Sequence, residues 1–193
     1  MESHFFSNLE VWYPISSNQI ELLENVDLML LRKLLKGHSK TPKEAFFLEC
    51  SLLPIKFVAI KKRLMYLHNI LTKPKSELIS KVYEVHKSVF TTYNLANENR
   101  NELGIPLTDE EISVMSKDRF KAIVNKAVNA FALKHFNKLA TKSDNLKSIN
   151  LVKSKFSREK HFEDKRFSIS EVELLFSLRA NMVAGIKKNF SSH

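Results

Sequence analysis

Between Pro54 and Lys75 the chain places six cations, Lys56, Lys61, Lys62, Arg63, Lys73 and Lys75, and not one acid. Ammonium and guanidinium groups without neighbouring carboxylates suit the neutralisation of phosphates along a nucleic-acid backbone. Such contact is indifferent to base sequence and weakened by salt. Arg179, Lys187 and Lys188 add an acid-free basic stretch near the C-terminus. The bias runs through the whole chain: 31 Lys and Arg against 21 Asp and Glu give a formal charge of +10. RNA or DNA is therefore the expected partner, held by backbone contacts. The competing reading is a packing helix whose lysines reach water from its edges.

Other chemistries find little support. The histidines His4, His38, His68, His86, His135, His161 and His193 are scattered, with no HExxH pair to seat a metal. Asp109, Glu110 and Glu111 fall in the first turn of a helix, where carboxylates favour the positive end of its dipole. Gly37, Gly104 and Gly185 are isolated, so no glycine-rich phosphate loop exists. Cys50 is the single cysteine and reads as a small packing residue; no internal disulfide can form. We expect no catalytic residue, no metal site and no cofactor, hence no enzyme. No aromatic stacking platform for single-strand reading is evident. Neither a secretory signal nor a membrane-spanning run is seen, which points to an intracellular chain, nuclear or cytoplasmic.

The elements that must position these cations read as helices. Only three glycines and five prolines occur in 193 residues, too few for a strand-rich domain with many tight turns. An all-α bundle of about seven or eight helices is expected, with a flexible basic connector before the last. From Ser16, the residues Ile20, Leu23, Val26, Leu30 and Leu34 form a first stripe, with Gly37 placed to cap the helix end. Thr41, Pro42 and Glu44 start a short second helix. Phe57, Ile60, Leu64, Leu67 and Leu71 form the stripe of the basic helix, which Pro74 ends. About that stripe, Lys56 and Arg63 lie on one border, Lys61 on the other and Lys62 nearly opposite, a positive rim rather than a groove. Leu78, Val82, Val85 and Val89 share a face of a fourth helix, and a fifth closes at Gly104. Thr108 to Glu111 is a capping box, and Phe120, Val124, Ala127, Phe131 and Leu139 line a long helix from Ser116. Residues 141–167 hold eight bases against four acids and read as the mobile connector between a main domain, 1–140, and a C-terminal part, 168–193. Ser168 and Glu171 cap a last helix with Val172, Leu175, Leu178 and Met182.

Taken in order, NLEVWYPISSNQIELLENVDLMLLRKLL, HSKTPKEAFFLE, LLPIKFVAIKKRLMYLHNIL, SELISKVYEVHKS, LTDEEISVMSKDRFKAIVNKAV and LLFSLRANMVAGIKKNF run across nearly the whole chain, from Asn8 to Phe190. Together they resemble the region that follows the polymerase domain in LINE-like, non-LTR retrotransposon polyproteins of animals. Trp12, Asp27, Glu49, Pro54, Lys62, Arg63, Leu67, Leu178, Arg179, Lys188, Asn189 and Phe190 stand at pattern positions of that family. Departures are Cys50-Ser51 where the family usually has Thr-Gly, and Lys62 where it usually has arginine. Thr92-Tyr93 stands at a common Asp-Trp pair, and Ala180-Asn181 at a small-Arg pair. The family's paired metal-binding aspartates lie upstream of this region, and no adjacent aspartates occur here. The resemblance implies a helical thumb-and-connector region without polymerase or nuclease chemistry, bracing a polymerase domain and holding template or primer. Two other readings stand beside it: a helical protein-interaction module with incidental charge, and a decayed reading frame without selected function.

Overall fold

A computed structural model describes residues 16–36, 41–86, 91–140, 156, 164 and 166–179. These form helices α1 (Ser17–Leu34), α2 (Lys43–Cys50), α3 (Ile55–Leu71), α4 (Leu78–His86), α5 (Thr91–Glu102), α6 (Asp109–Ser113), α7 (Lys117–Ala140) and α8 (Ile169–Arg179). No strand occurs among the described residues, and the protein is all-α. The chain falls into two compact units: Ile55–Phe131 with the start of α1, and Glu21–Pro54 with Ala132 onward. The connector lies almost wholly outside the described residues, as do Gly37, Val89 and Met182.

In the first unit α3 is the packing centre, in contact with α4, α5 and α6. Phe57, Ile60, Leu64 and Leu67 of the expected stripe are buried, and Leu71 at the helix end is half-buried. Phe57 meets Phe131 of α7 edge to face, centroids 5.8 Å apart. Further along, the His68 ring stacks on Phe120 at 5.1 Å, and its Nε2 lies 2.9 Å from the Met115 carbonyl. A carbonyl only accepts, so His68 carries its proton on Nε2 and donates it there. α5 closes as its sequence predicts: Gly104 takes φ +64° while Ile105 N–H returns to Arg100 O at 3.0 Å.

Capping follows the sequence at two helices. Thr108 Oγ1 accepts from Glu111 N–H at 3.3 Å while Glu111 Oε2 accepts from Thr108 N–H at 2.8 Å, starting α6. Ser168 and Glu171 do the same for α8, and those hydrogen bonds hold the Glu171 carboxyl below its ordinary range. At α2 the expectation fails by one residue. Pro42 occupies the cap position without a side-chain bond, and Thr41 stands outside it.

The second unit is built on Phe46 of α2 against Phe176 of α8, centroids 4.9 Å apart and both fully buried. Here the α1 stripe is a correction. Glu24, Leu28, Leu31 and Leu35 are buried, whereas Val26, Leu30 and Leu34 are exposed. Nine of the fourteen residues from Leu22 to Leu35 are apolar, so stripes can be drawn in several directions and spacing alone does not choose among them. Burial of Glu24 is offset by Lys43, whose Nζ lies 3.2 Å from its carboxylate. Burial, and then the Glu24 charge, raise the Asp27 carboxyl above its ordinary value.

Two further faces differ from expectation. α7 buries Phe120, Val124, Val128, Ala132 and Phe136, steps of four that drift around a 3.6-residue helix, while Ala127, Phe131 and Leu139 are half-buried. In α4 the shared face of Leu78, Val82 and Val85 is exposed rather than packed.

Ser51 closes α2 at φ 52°, ψ 40°, in the left-handed region that costs an L-residue about 1–2 kcal/mol. Glycine adopts it without penalty. Ser51→Gly is therefore expected to raise stability by about 1 kcal/mol, read as a higher urea midpoint. A fall in midpoint would show that the Ser51 side chain is worth more than the backbone strain.

Candidate nucleic-acid interface

The six sequence-predicted cations between Lys56 and Lys75 do not converge on one face. Lys56 is exposed and pairs with Glu102 of α5 at 3.8 Å. Lys73 pairs with Glu77 at 3.6 Å across one helical turn's separation. Lys61 and Lys62 are half-buried on α3, and Lys75 is exposed in the turn after it. Arg63, placed on a solvent rim by its sequence angle, is buried with 9% of its surface exposed. On the helix it falls between Ala59 and Ile60, both buried, so the buried arc of α3 is wider than the apolar stripe and includes it. Arg179 ends α8, and its side chain lies outside the described residues together with Lys187 and Lys188.

Two of the cations do share a concavity. Lys73 and Lys75, with Lys81 of α4, line a cleft of about 640 Å³ floored by Ile70 and Leu71. The same walls carry Glu84, Asp109 and Glu110. Asp109 is engaged there: Arg100 Nη1 donates to its Oδ1 at 3.0 Å and the Tyr83 hydroxyl to its Oδ2 at 3.4 Å. This ties α4, α5 and α6 together through an ion pair whose partners are each 14% exposed. Three cations facing three carboxylates leave the cleft close to neutral, a poor trap for a polyanion.

Among the described residues a concentration of exposed positive charge lies on α7, whose sequence pattern reads first as a core helix. Its first ten residues hold Lys117, Arg119, Lys121 and Lys126 against Asp118 alone. All four are exposed, and none makes an ion pair among the described residues. Phe120, Val124 and Val128 bury the opposite side. Only Arg119 and Lys126 project away from that stripe; Lys117 lies in line with it at the exposed helix start, and Lys121 borders it. Cations at a helix N-terminus oppose the macrodipole, so three of them in the first five residues destabilise the helix they occupy. The opening Ser116 Oγ, which accepts from Arg119 N–H at 3.4 Å, offsets part of this cost. The signal is present in the sequence as a cluster of four cations beside one acid. The strong Phe120–Val124 periodicity masks it by pointing to the buried side.

Among the described residues no group of three or more His, Cys, Asp or Glu side chains is arranged to hold a metal ion. No helix among them is long and apolar enough to cross a membrane. No family model, no curated protein and no solved structure matches the chain.

Proposed function

We propose that this chain is a non-catalytic helical module that binds RNA or DNA through backbone phosphates, without reading base sequence. It would have the thumb-and-connector role of a retrotransposon reverse-transcriptase-like protein. The observation that carries the binding is the exposed cation cluster on α7, in a chain of net charge +10. Positive side chains kept at a helix start against its dipole are unfavourable for folding unless an anion occupies the site. Lys61 and Lys75 belong to the same unit but stand apart from this cluster on other elements, and Arg63 is buried.

The ancestry rests on the ordered resemblance of the sequence segments, and one backbone detail supports it. Ser51 occupies a left-handed helix-closing position, and the resembled family usually carries glycine there. A polymerase domain of a parent polyprotein is then the second partner, and an in-frame upstream segment with paired metal-binding aspartates would be its trace.

The binding is tested by titrating the whole chain against single-stranded RNA, single-stranded DNA and duplex DNA over a range of salt. Affinity is expected to fall linearly in log–log coordinates and to differ little between unrelated sequences of one type. Absent or salt-independent binding would remove the proposal. A second reading, a protein-interaction module, is favoured by the exposed apolar faces of α1 and α4.

A further inference from the structure

α1 carries two apolar sides. One, through Leu28, Leu31 and Leu35, is buried in the second unit. The other is open, with Leu22, Met29 and Leu34 between 64% and 67% exposed and Val26 and Leu30 about half exposed. Exposure of this size on consecutive turns is not scattered surface leucine but a continuous seam.

From the seam's spacing and charge we infer that its occupant is a second copy of α1, docked antiparallel. The line Leu22, Val26, Met29, Lys33 steps by four, three and four, so it reads the same from either end. Turning a second helix end for end sets Val26 against Met29 of the second copy and Leu22 beside the stem of its Lys33. A seam of four-three steps is also the one along which helices interlock at a shallow angle.

Charge selects the orientation. From Ser17 to Leu31 the helix carries Glu21, Glu24 and Asp27 and no cation, and from Arg32 to Lys36 it carries three cations and no acid. Glu24 is engaged with Lys43, Arg32 donates to the Thr41 carbonyl, Lys36 reaches Glu173 and Asp27 is half-buried, which leaves Lys33 exposed at one end of the seam and Glu21 exposed on its flank, beside Leu22, at the other. Antiparallel docking brings each Lys33 toward Glu21 of the second copy, and the opposed helix dipoles add to the attraction. Parallel docking would put acid on acid and lysine on lysine.

This pairing is independent of nucleic-acid binding and is measured without nucleic acid. Sedimentation or light scattering of the full chain at tens of micromolar should return twice the 22.4 kDa chain mass. Val26→Glu with Met29→Glu should return a monomer with unchanged helical circular dichroism, since both positions are exposed. Orientation is read in a Cys50→Ser background. An equimolar mixture of Val26→Cys and Met29→Cys chains should form the mixed disulfide on oxidation. Leu22→Cys alone should form none: antiparallel, its two copies lie eleven residues apart along the axis, about 16 Å, beyond disulfide reach. A monomer at these concentrations, a dimer that survives the double glutamate variant, or a Leu22→Cys disulfide would each overturn the inference.

Discussion

Replacing Lys117, Arg119, Lys121 and Lys126 together by alanine is expected to weaken nucleic-acid binding on the order of 100-fold near 0.1 M salt, and to flatten its salt dependence. Each phosphate neutralised on a single strand contributes about 0.7 to the log–log slope, so loss of up to four contacts should lower its magnitude by about 2–3. The same variant is expected to be at least as stable as the parent. Three of the replaced cations lie in the first five residues of α7, where each opposes the dipole by about 0.3–1 kcal/mol, and alanine is the better helix former. Affinity and stability should therefore move in opposite directions, a result that general unfolding cannot mimic. Lys61→Ala with Lys75→Ala should cost far less, because those two lie on different elements with no concentrated field. An unchanged salt slope in the α7 variant would show that the cluster is a solvated surface and nothing more.

Sequence patterns encode some of this and not the rest. Helical periodicity records that a segment has an apolar side, so the all-α class, the centre of α3 and the capping boxes at Thr108 and Ser168 are directly legible. It does not record which side is used when a helix has two. α1 is the case in point: the stripe through Val26 and Leu30 is real in the sequence but faces solvent, while Glu24 goes in because Lys43 of α2 meets it. Arg63 departs from expectation for a related reason. A helical wheel places it at the margin of the apolar arc, and only the neighbouring helices decide whether a margin is open. The α7 cluster is hard to see in a linear scan because acid-free runs are conspicuous there, and Asp118 interrupts this one. In three dimensions a single acid among four cations on two sides of a helix changes little.

Phe120→Ala should be the most damaging substitution in the first unit, lowering its stability by about 3–5 kcal/mol against a total of about 5–15 for a typical domain. Phe120 is fully buried at the start of α7, and its ring is the surface on which His68 of α3 stacks. Removing it leaves a cavity and loosens the imidazole whose Nε2 proton holds the Met115 carbonyl in the turn before α7. One deletion thus releases a core contact and the hydrogen bond that fixes the entry of the helix. His68→Ala should cost less, about 1–3 kcal/mol, because the half-buried turn at Met115 admits water to the abandoned carbonyl. Urea titration gives the ranking, and amide exchange at Lys121 to Val124 tests the cause: protection there should fall in both variants, more in Phe120→Ala. Because the four α7 cations are held in place by this anchor, Phe120→Ala should weaken nucleic-acid binding as well as stability. The α7 alanine variant should weaken binding alone. A Phe120→Ala protein that loses less than about 1 kcal/mol would mean that the basic end of α7 is held by something other than the His68 stack.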